Sequence, residues 1–327
     1  MKNLLLTLAF AVASTAAFTQ SFEGSAIGKG IRFMPKDSSF SIQWNTRFQT
    51  LYTGIYDTES GDYEDALMTR RFRLKFKGFL VNPKIQYKIE LALSNQDQGG
   101  FLAEEREAAS IVLDAVLKYK FHPGWTLWVG QTKLPGNRER VISSGSLQFV
   151  GRSRLNSRYT IDRDQGIQLR HEHKAGQMVF RQIASIAMGE GRNTSKNSSE
   201  GSYANGINGT SKGYEYTVRS EILPFGKFTS KGDYFGTDLK REESPKLSIG
   251  ITYDYNKGNN RTRGNKGDFI DNRSDLSTVF ADLMFKYQGF SVMYEYANKK
   301  VAEGKLSGLT ASGSEKFYYT GEGHNFQ

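Results

Sequence analysis

Residues 40–56, FSIQWNTRFQTLYTGIY, alternate without a break. Phe40, Ile42, Trp44, Thr46, Phe48, Thr50, Tyr52, Gly54 and Tyr56 occupy the even positions, and Ser41, Gln43, Asn45, Arg47 and Gln49 fill the odd ones. Period two is a strand with two unlike faces. At 17 residues it is far longer than the usual strand of about five or six, so its aromatic face must lie against a second sheet or against lipid.

Composition leaves room for lipid. The chain has 327 residues, 38% of them hydrophobic, and a mean hydropathy of −0.54. A spanning strand shows only alternate residues to the bilayer, so such an average does not exclude a membrane barrel. Tyr (17) and Phe (22) far outnumber Trp (3) and gather in the alternating segments. With no Cys, disulfide frameworks, thiol nucleophiles and thiolate metal sites drop out together. MKNLLLTLAFAVASTAAFTQ reads as a secretory signal: Lys2, an apolar run from Leu4 to Ala13, then small residues with cleavage between Ala16 and Gln20. That run is too short to span about 30 Å of hydrocarbon. Beyond residues 1–20, residues 21–38 are expected to be a periplasmic N-terminal segment and 39–327 a barrel.

Alternation recurs down the chain, at about 67–80, at KIQYKIELALS, at 110–121, at WTLWVGQ, near 165–174 and 178–188, at KLSIGITYDY, and at 276–287 and 290–298. Short turns (VNPK, HPG, KAGQ, QG) alternate with long polar loops at 95–109, 189–213 and 256–274 and with a connection of about thirty residues at 132–164. This is the pattern of an all-β, antiparallel transmembrane β-barrel with short periplasmic turns and long outer loops. One long segment, 224–245, falls at the short-turn end by strand parity unless it hides two short strands. A sandwich or propeller is the competing architecture, but one-sided aromatic strands are rare in sandwiches and no blade repeat is visible.

The polar faces carry the candidate chemistry. In LMTRRFRLKFKGFL, Phe72, Leu74 and Phe76 lie on the lipid face, which files Arg71, Arg73, Lys75 and Lys77 along the other. On a soluble sheet this would be a solvated outer face; in a barrel it lines a water-filled lumen. Lys88, Lys118, Lys120, Arg170 and Arg219 recur at polar positions, beside Glu90, Asp114, Glu172, Glu215 and Glu221, so the lining is mixed. Within 132–164, Lys133, Arg138, Arg140, Arg152, Arg154, Arg158 and Arg163 stand against Glu139, Asp162 and Asp164, seven cations to three carboxylates. The planar fork of Arg suits oxyanions.

With GQTKLPGNRERVISSGSLQFVGRSR, YFGTDLKREESPKLSIGITYDY and RRFRLKFKG in place, the chain resembles the phosphate-selective porin O and P family in the form found in Bacteroidetes-type bacteria. The resemblance implies a homotrimeric outer-membrane porin of about sixteen strands, with the third loop folded into the channel and Arg and Lys passing anions along. It assigns the anion pathway to Arg71, Arg73, Lys75, Lys77, Lys133, Arg138, Arg140, Arg152, Arg154 and Arg158. Only about eleven complete strands and the start of another, KFYYTGEGHNFQ, can be counted in this sequence, and the chain ends Phe326, Gln327. The expectation is therefore a C-terminally truncated fragment with about 11–12 of the family's strands. Phosphate, chloride, sulfate and carboxylates all remain open as the conducted anion.

Other classes find little support. His171 and His173 in HEH could pair as metal ligands, but they share a face with Ile167 and Leu169 near a short turn, where polar-tipped rings sit at a membrane interface. SSGS at 143–146 lacks the strand and helix of a nucleophile elbow. No catalytic site, metal or cofactor is expected. Export and the absence of a basic helix argue against nucleic acid as the partner behind a pI of about 9.4. The partners expected are small anions and outer-membrane lipid. The rival function is a non-conducting surface protein for adhesion or docking.

Overall fold

The computed structural model describes residues 21–24, 30–94, 111–192, 213–310 and 312–327. The signal segment and the loops at 95–109 and 193–212 lie outside them. The chain divides into two units, residues 1–97 and 98–327, and strands with antiparallel neighbours dominate both.

In the first unit, β1 (Ser21–Gly24), β2 (Ile31–Met34), β3 (Phe40–Tyr56), β4 (Tyr63–Leu80) and β5 (Asn82–Ala92) follow one another as an antiparallel meander. Residues 21–34, expected as part of a separate N-terminal segment, thus add two short strands beside β3. β3 spans the whole opening motif, and its aromatic face is bare: Phe48 is 62% and Tyr52 57% exposed. β4 begins four residues earlier than expected and carries a bulge at Arg70, where Gln49 pairs with Arg71 but Thr50 with Thr69. The extra residue reverses the parity of β4. It keeps Leu67 and Tyr63 on the aromatic face with Tyr52 and Tyr56, while Arg71, Arg73, Lys75 and Lys77 stay on the polar one.

Only Val81 separates β4 from β5, and it sits at φ +62° while 76% exposed. A β-branched residue is strained in the left-handed region, whereas Asn tolerates it. Val81→Asn should stabilise the fold by about 1 kcal/mol, seen as a higher temperature for loss of the folded band on unboiled gels; an unchanged temperature would mean that the strain is relieved elsewhere.

The second unit runs β6 (Val112–His122), β7 (Trp125–Lys133), α1 (Arg138–Val141), α2 (Arg154–Tyr159), β8 (Arg163–Ala175), β9 (Met178–Ala187), β10 (Glu215–Leu223), β11 (Lys246–Arg261), β12 (Phe269–Tyr287) and β13 (Phe290–Glu303). A small hairpin, β14 (Ser307–Leu309) with β15 (Glu315–Phe317), follows, and β16 (Gly321–Phe326) returns to pair with β13. Consecutive strands from β6 to β13 pair antiparallel. The turn between β12 and β13 places Gln288 and Gly289 at φ 49° and 97°, the two left-handed residues that match the twist of a tight hairpin. β11 and β12 run further than their apolar cores foretell, so the loop expected at 256–274 shrinks to 262–268. The segment 224–245 contains no strand; within it Thr229–Tyr234 turns tightly, kinked where Ser230 and Lys231 take left-handed φ of 52° and 60°.

The faces are inverted relative to a water-soluble sheet. Ile186, Val218 and Ile251 are 52%, 55% and 58% exposed, while Arg219 and Asp282 on the opposite face are 1% and 3% exposed. An outward apolar surface with polar groups sealed behind it fits a sheet whose outer solvent is lipid. At the short-turn end the rings of Tyr119, Phe121, Trp125, His171, His173 and Phe180 form a continuous file, closest at 4.2 Å between Trp125 and His171. Such a file resembles the aromatic girdle of a membrane interface.

Candidate functional site: two basic polar faces

In the first unit, register sets the polar face. Gln43, Asn45, Arg47 and Gln49 of β3 lie opposite Lys77, Lys75, Arg73 and Arg71 of β4, and Lys75 and Lys77 lie opposite Glu90 and Lys88 of β5. Between Gln43 and Gln49 and their partners on β4 and β5, this face gathers Arg47, Arg71, Arg73, Lys75, Lys77 and Lys88 around Glu90. Glu90 accepts from Arg73 at 3.0 Å and pairs with Lys88 at 2.9 Å and Lys75 at 3.9 Å. Arg71 donates to Gln49 Oε1 at 2.7 Å. Cross-strand neighbours about 5 Å apart hold the cations in two adjoining files.

In the second unit the connection after β7 turns back across the polar face of β9–β13. Two apolar contacts hold it. Leu134, Leu155, Tyr159 and Ile161 pack on Ala187, Phe280 and Ala297. Ile142 and Leu147 pack with Phe228 on Val179, Leu223, Met284 and Met293. The segment 224–245 folds over the same face and meets the connection where Gly236 N donates to Ser146 O at 2.7 Å. A Cβ at Gly236 would come within 2.5 Å of Gln148 N, so only glycine allows this approach. Lys286 fastens the segment, its Nζ donating to the carbonyls of Gly232, Phe235 and Thr237 at 2.7–2.9 Å.

Beneath both segments lies a closed ion network. Arg138 Nε donates to Asp282 Oδ1 at 3.0 Å and its Nη2 to Ser248 Oγ at 2.7 Å, with Glu221 at 3.2 Å. Arg219 donates to Asp282 at 2.6 and 2.9 Å and to Glu221 at 2.8 Å. Arg181 pairs with Glu221, Glu172 and Asp233. Gly250 makes room for the bidentate pair, since a Cβ there would meet Arg219 Nη2 at 2.5 Å. Burial alone would lower the affinity of the Arg138 guanidinium for its proton, but Glu221 and Asp282 raise it above the ordinary arginine value. Lys227 pairs with Glu172 in turn, so Arg138, Arg181, Arg219 and Lys227 face Glu172, Glu221, Asp233 and Asp282 in equal number, which makes the network an anchor.

The charge excess lies at the other side of α1. Lys133, Arg140, Arg152, Arg163, Arg192 and Lys266 cluster there around Asp114 and Asp162. Lys133 Nζ caps the end of α1, donating to Arg140 O at 2.7 Å and Ile142 O at 2.9 Å. Arg152 bridges Glu139 O at 3.1 Å and Ile142 O at 2.9 Å. Arg140 pairs with Asp162. Lys266 reaches Asp162 at 2.8 Å, yet burial and then the charges of Arg140, Arg192, Arg163 and Arg152 push its ammonium well below the ordinary lysine range. Arg154 and Arg158 are exposed on α2, with Arg158 beside the Tyr319 ring in a groove of 390 Å³.

The structure thus brings Lys133, Arg140 and Arg152 of the expected pathway into one cluster, encloses Arg138, leaves Arg154 and Arg158 at the surface, and keeps Arg71, Arg73, Lys75 and Lys77 together on β4. Arg163, Arg192 and Lys266 were not among the expected pathway residues. Arg192 and Lys266 sit in loops whose sequence carries no signal of where they fold. The pair His171 and His173 is part of the stacked file of rings, and no group of three metal-ligating side chains occurs among the described residues.

The family model described as phosphate-selective porin O and P matches residues 42–320. No curated protein matches the sequence. Among solved structures, the chain is similar to the outer membrane channel DcaP of Acinetobacter baumannii at 12% identity, over 90% of this chain and 98% of that one, with a TM-score of 0.38. It is also similar to OmpT, an outer membrane protein of Vibrio cholerae, at 12% identity, over 88% and 98% of the two chains, with a TM-score of 0.30. These likenesses are too loose to carry an argument about this chain.

Proposed function

The chain belongs to the phosphate-selective porin O and P family, bacterial outer-membrane porins of antiparallel β-barrel fold, and from that premise we propose that it conducts small anions, phosphate and related oxyanions among them, by passive diffusion. The observation that carries this reading is the gathering of Arg47, Arg71, Arg73, Lys75, Lys77 and Lys88 around Glu90 along one stretch of the polar face of β3–β5. Arg71, Arg73, Lys75 and Lys77 replace part of an anion's hydration and pass it between adjacent weak sites. In the second unit, the cluster of Lys133, Arg140 and Arg152 offers anions a positive field of its own, with Arg154 and Arg158 drawing them toward it. Arg138 serves this path by anchoring the connection that carries the cluster. Guanidinium forks favour oxyanions over chloride because two N–H groups can bind two oxygens at once. The reading includes the homotrimer implied by the resemblance and calls on no cofactor or energy source.

The test is the reversal potential of the purified, folded protein in a planar bilayer under a potassium chloride gradient, followed by addition of phosphate. We expect anion-selective current that phosphate reduces. Cation selectivity, or no conductance from folded protein, would overturn the reading and turn attention to a surface or docking role.

A further inference from the structure

The outward face of the second unit changes chemistry at β13. Two rows of cross-strand partners cross it: Ser220, Ile251 and Ala281 lead into Tyr296 and His324, and Val218, Tyr253 and Val279 lead into Asn298 and Glu322. From β10 to β12 these two rows hold no charged side chain, whereas on β13 and β16 they hold a phenol, an imidazole, an amide and a carboxylate. Tyr296 stands six residues beyond Phe290 at the short-turn end, inside a span of about 9–11 residues. Lys300, exposed two residues past Asn298, adds an ammonium. The polar groups form a chain: Tyr294 Oη and His324 Nδ1 share a hydrogen bond at 2.7 Å, Tyr296 Oη donates to Glu322 Oε2 at 3.2 Å, and Asn298 Nδ2 donates to Tyr296 Oη at 3.1 Å. Among the described residues nothing bonds Glu322 Oε1, His324 Nε2 or the Lys300 ammonium. Hydrocarbon offers such groups no donor or acceptor, and a charge on a lipid-facing strand is costly, so a protein surface suits this face better than lipid does.

We propose that the outward face of β13 and β16, centred on Tyr296, Asn298, Glu322 and His324, is where a second copy of this chain docks. The inference rests on the homotrimer included in the reading above and deepens it by naming the face. The occupant has to be embedded at the same depth and has to bring both a cation and a carboxylate. A second copy brings both, because Lys300 and Glu322 lie on one face, and about a closed symmetry axis the cation of one copy faces the carboxylate of the next. Hydrogen-bonding side chains hold together surfaces that meet within a membrane, where burial of apolar area supplies no drive of its own.

The test places the photoreactive residue p-benzoylphenylalanine at position 296 of the full chain in one strain and at position 251 in another; Ile251 is 58% exposed on the same row, two strands away. Irradiation of intact outer membranes should join two copies of the chain from position 296 and not from position 251. Adducts from position 296 to lipopolysaccharide or to a different polypeptide, or equal joining of copies from both positions, would overturn the proposal. The double variant Asn298→Leu, Glu322→Leu makes the face resemble its lipid-facing neighbours, so it should lose the oligomer band on unboiled gels while each chain keeps its folded mobility. An oligomer band that persists unchanged in this variant overturns the proposal as well. Failure of the face and failure of the homotrimer read differently: a trimeric mass for the purified wild type with no joining from position 296 sinks the face alone, whereas a monomeric mass sinks both, and anion conduction is measured independently of either.

Discussion

Arg138→Ala should loosen the connection of residues 134–162 over the polar face of β9–β13. Its guanidinium is fully enclosed and satisfies Asp282, Glu221 and Ser248 from three different strands. Truncation leaves Glu221, Asp233 and Asp282 facing only Arg181 and Arg219, so one buried carboxylate charge goes uncompensated. Removing one partner from a buried ion network costs about 3–5 kcal/mol. The apolar contacts of Leu134, Leu155, Tyr159 and Ile161 remain, so the strands should stay folded while the connection loosens. The expected result is faster proteolytic cleavage between residues 134 and 162, together with larger and less anion-selective single-channel steps. Cleavage and conductance identical to wild type would show that the network does not hold the connection in place.

Replacing Arg71, Arg73, Lys75 and Lys77 together by Gln should lower the preference for anions over cations roughly tenfold, the scale on which a charged cleft enriches counter-ions. After the change Arg47 and Lys88 remain beside Glu90. Gln keeps hydrogen-bonding capacity at each position, and the pairing of Phe48 with Phe72 and Trp44 with Phe76 is untouched, so the fold should survive. Reversal potential across a chloride gradient reads the effect directly. An unchanged potential in a folded variant would take the four residues out of the path.

The strands were legible because their cause is local. Alternation at 40–56 foretold β3 to the residue, and the same rule put Arg71, Arg73, Lys75 and Lys77 on one face. Period two carried straight through β4 puts Leu67 and Tyr63 on the cationic face, and the bulge at Arg70 returns them to the aromatic one. Phe280 and Met284 share a face with Thr278 and Asp282 on β12 and are fully buried. Large apolar residues on a polar face signal that something packs there, and here it is the two in-turned segments. For 224–245 no local pattern existed, since its place depends on carbonyls presented to Lys286 and on glycine at 236.

What the sequence by itself determined was the solvent of each face and the order of the hairpins, because side-chain direction in a strand follows from residue parity and turn length. Which cations are spent on structure and which lend a net field was decided only by the tertiary structure. Arg138 and Asp282 are 144 residues apart in the chain, and nothing near either one names its partner. Charge neutralisation needs atoms within a few ångströms, and for these groups that proximity arises only when distant strands and in-turned loops share one face.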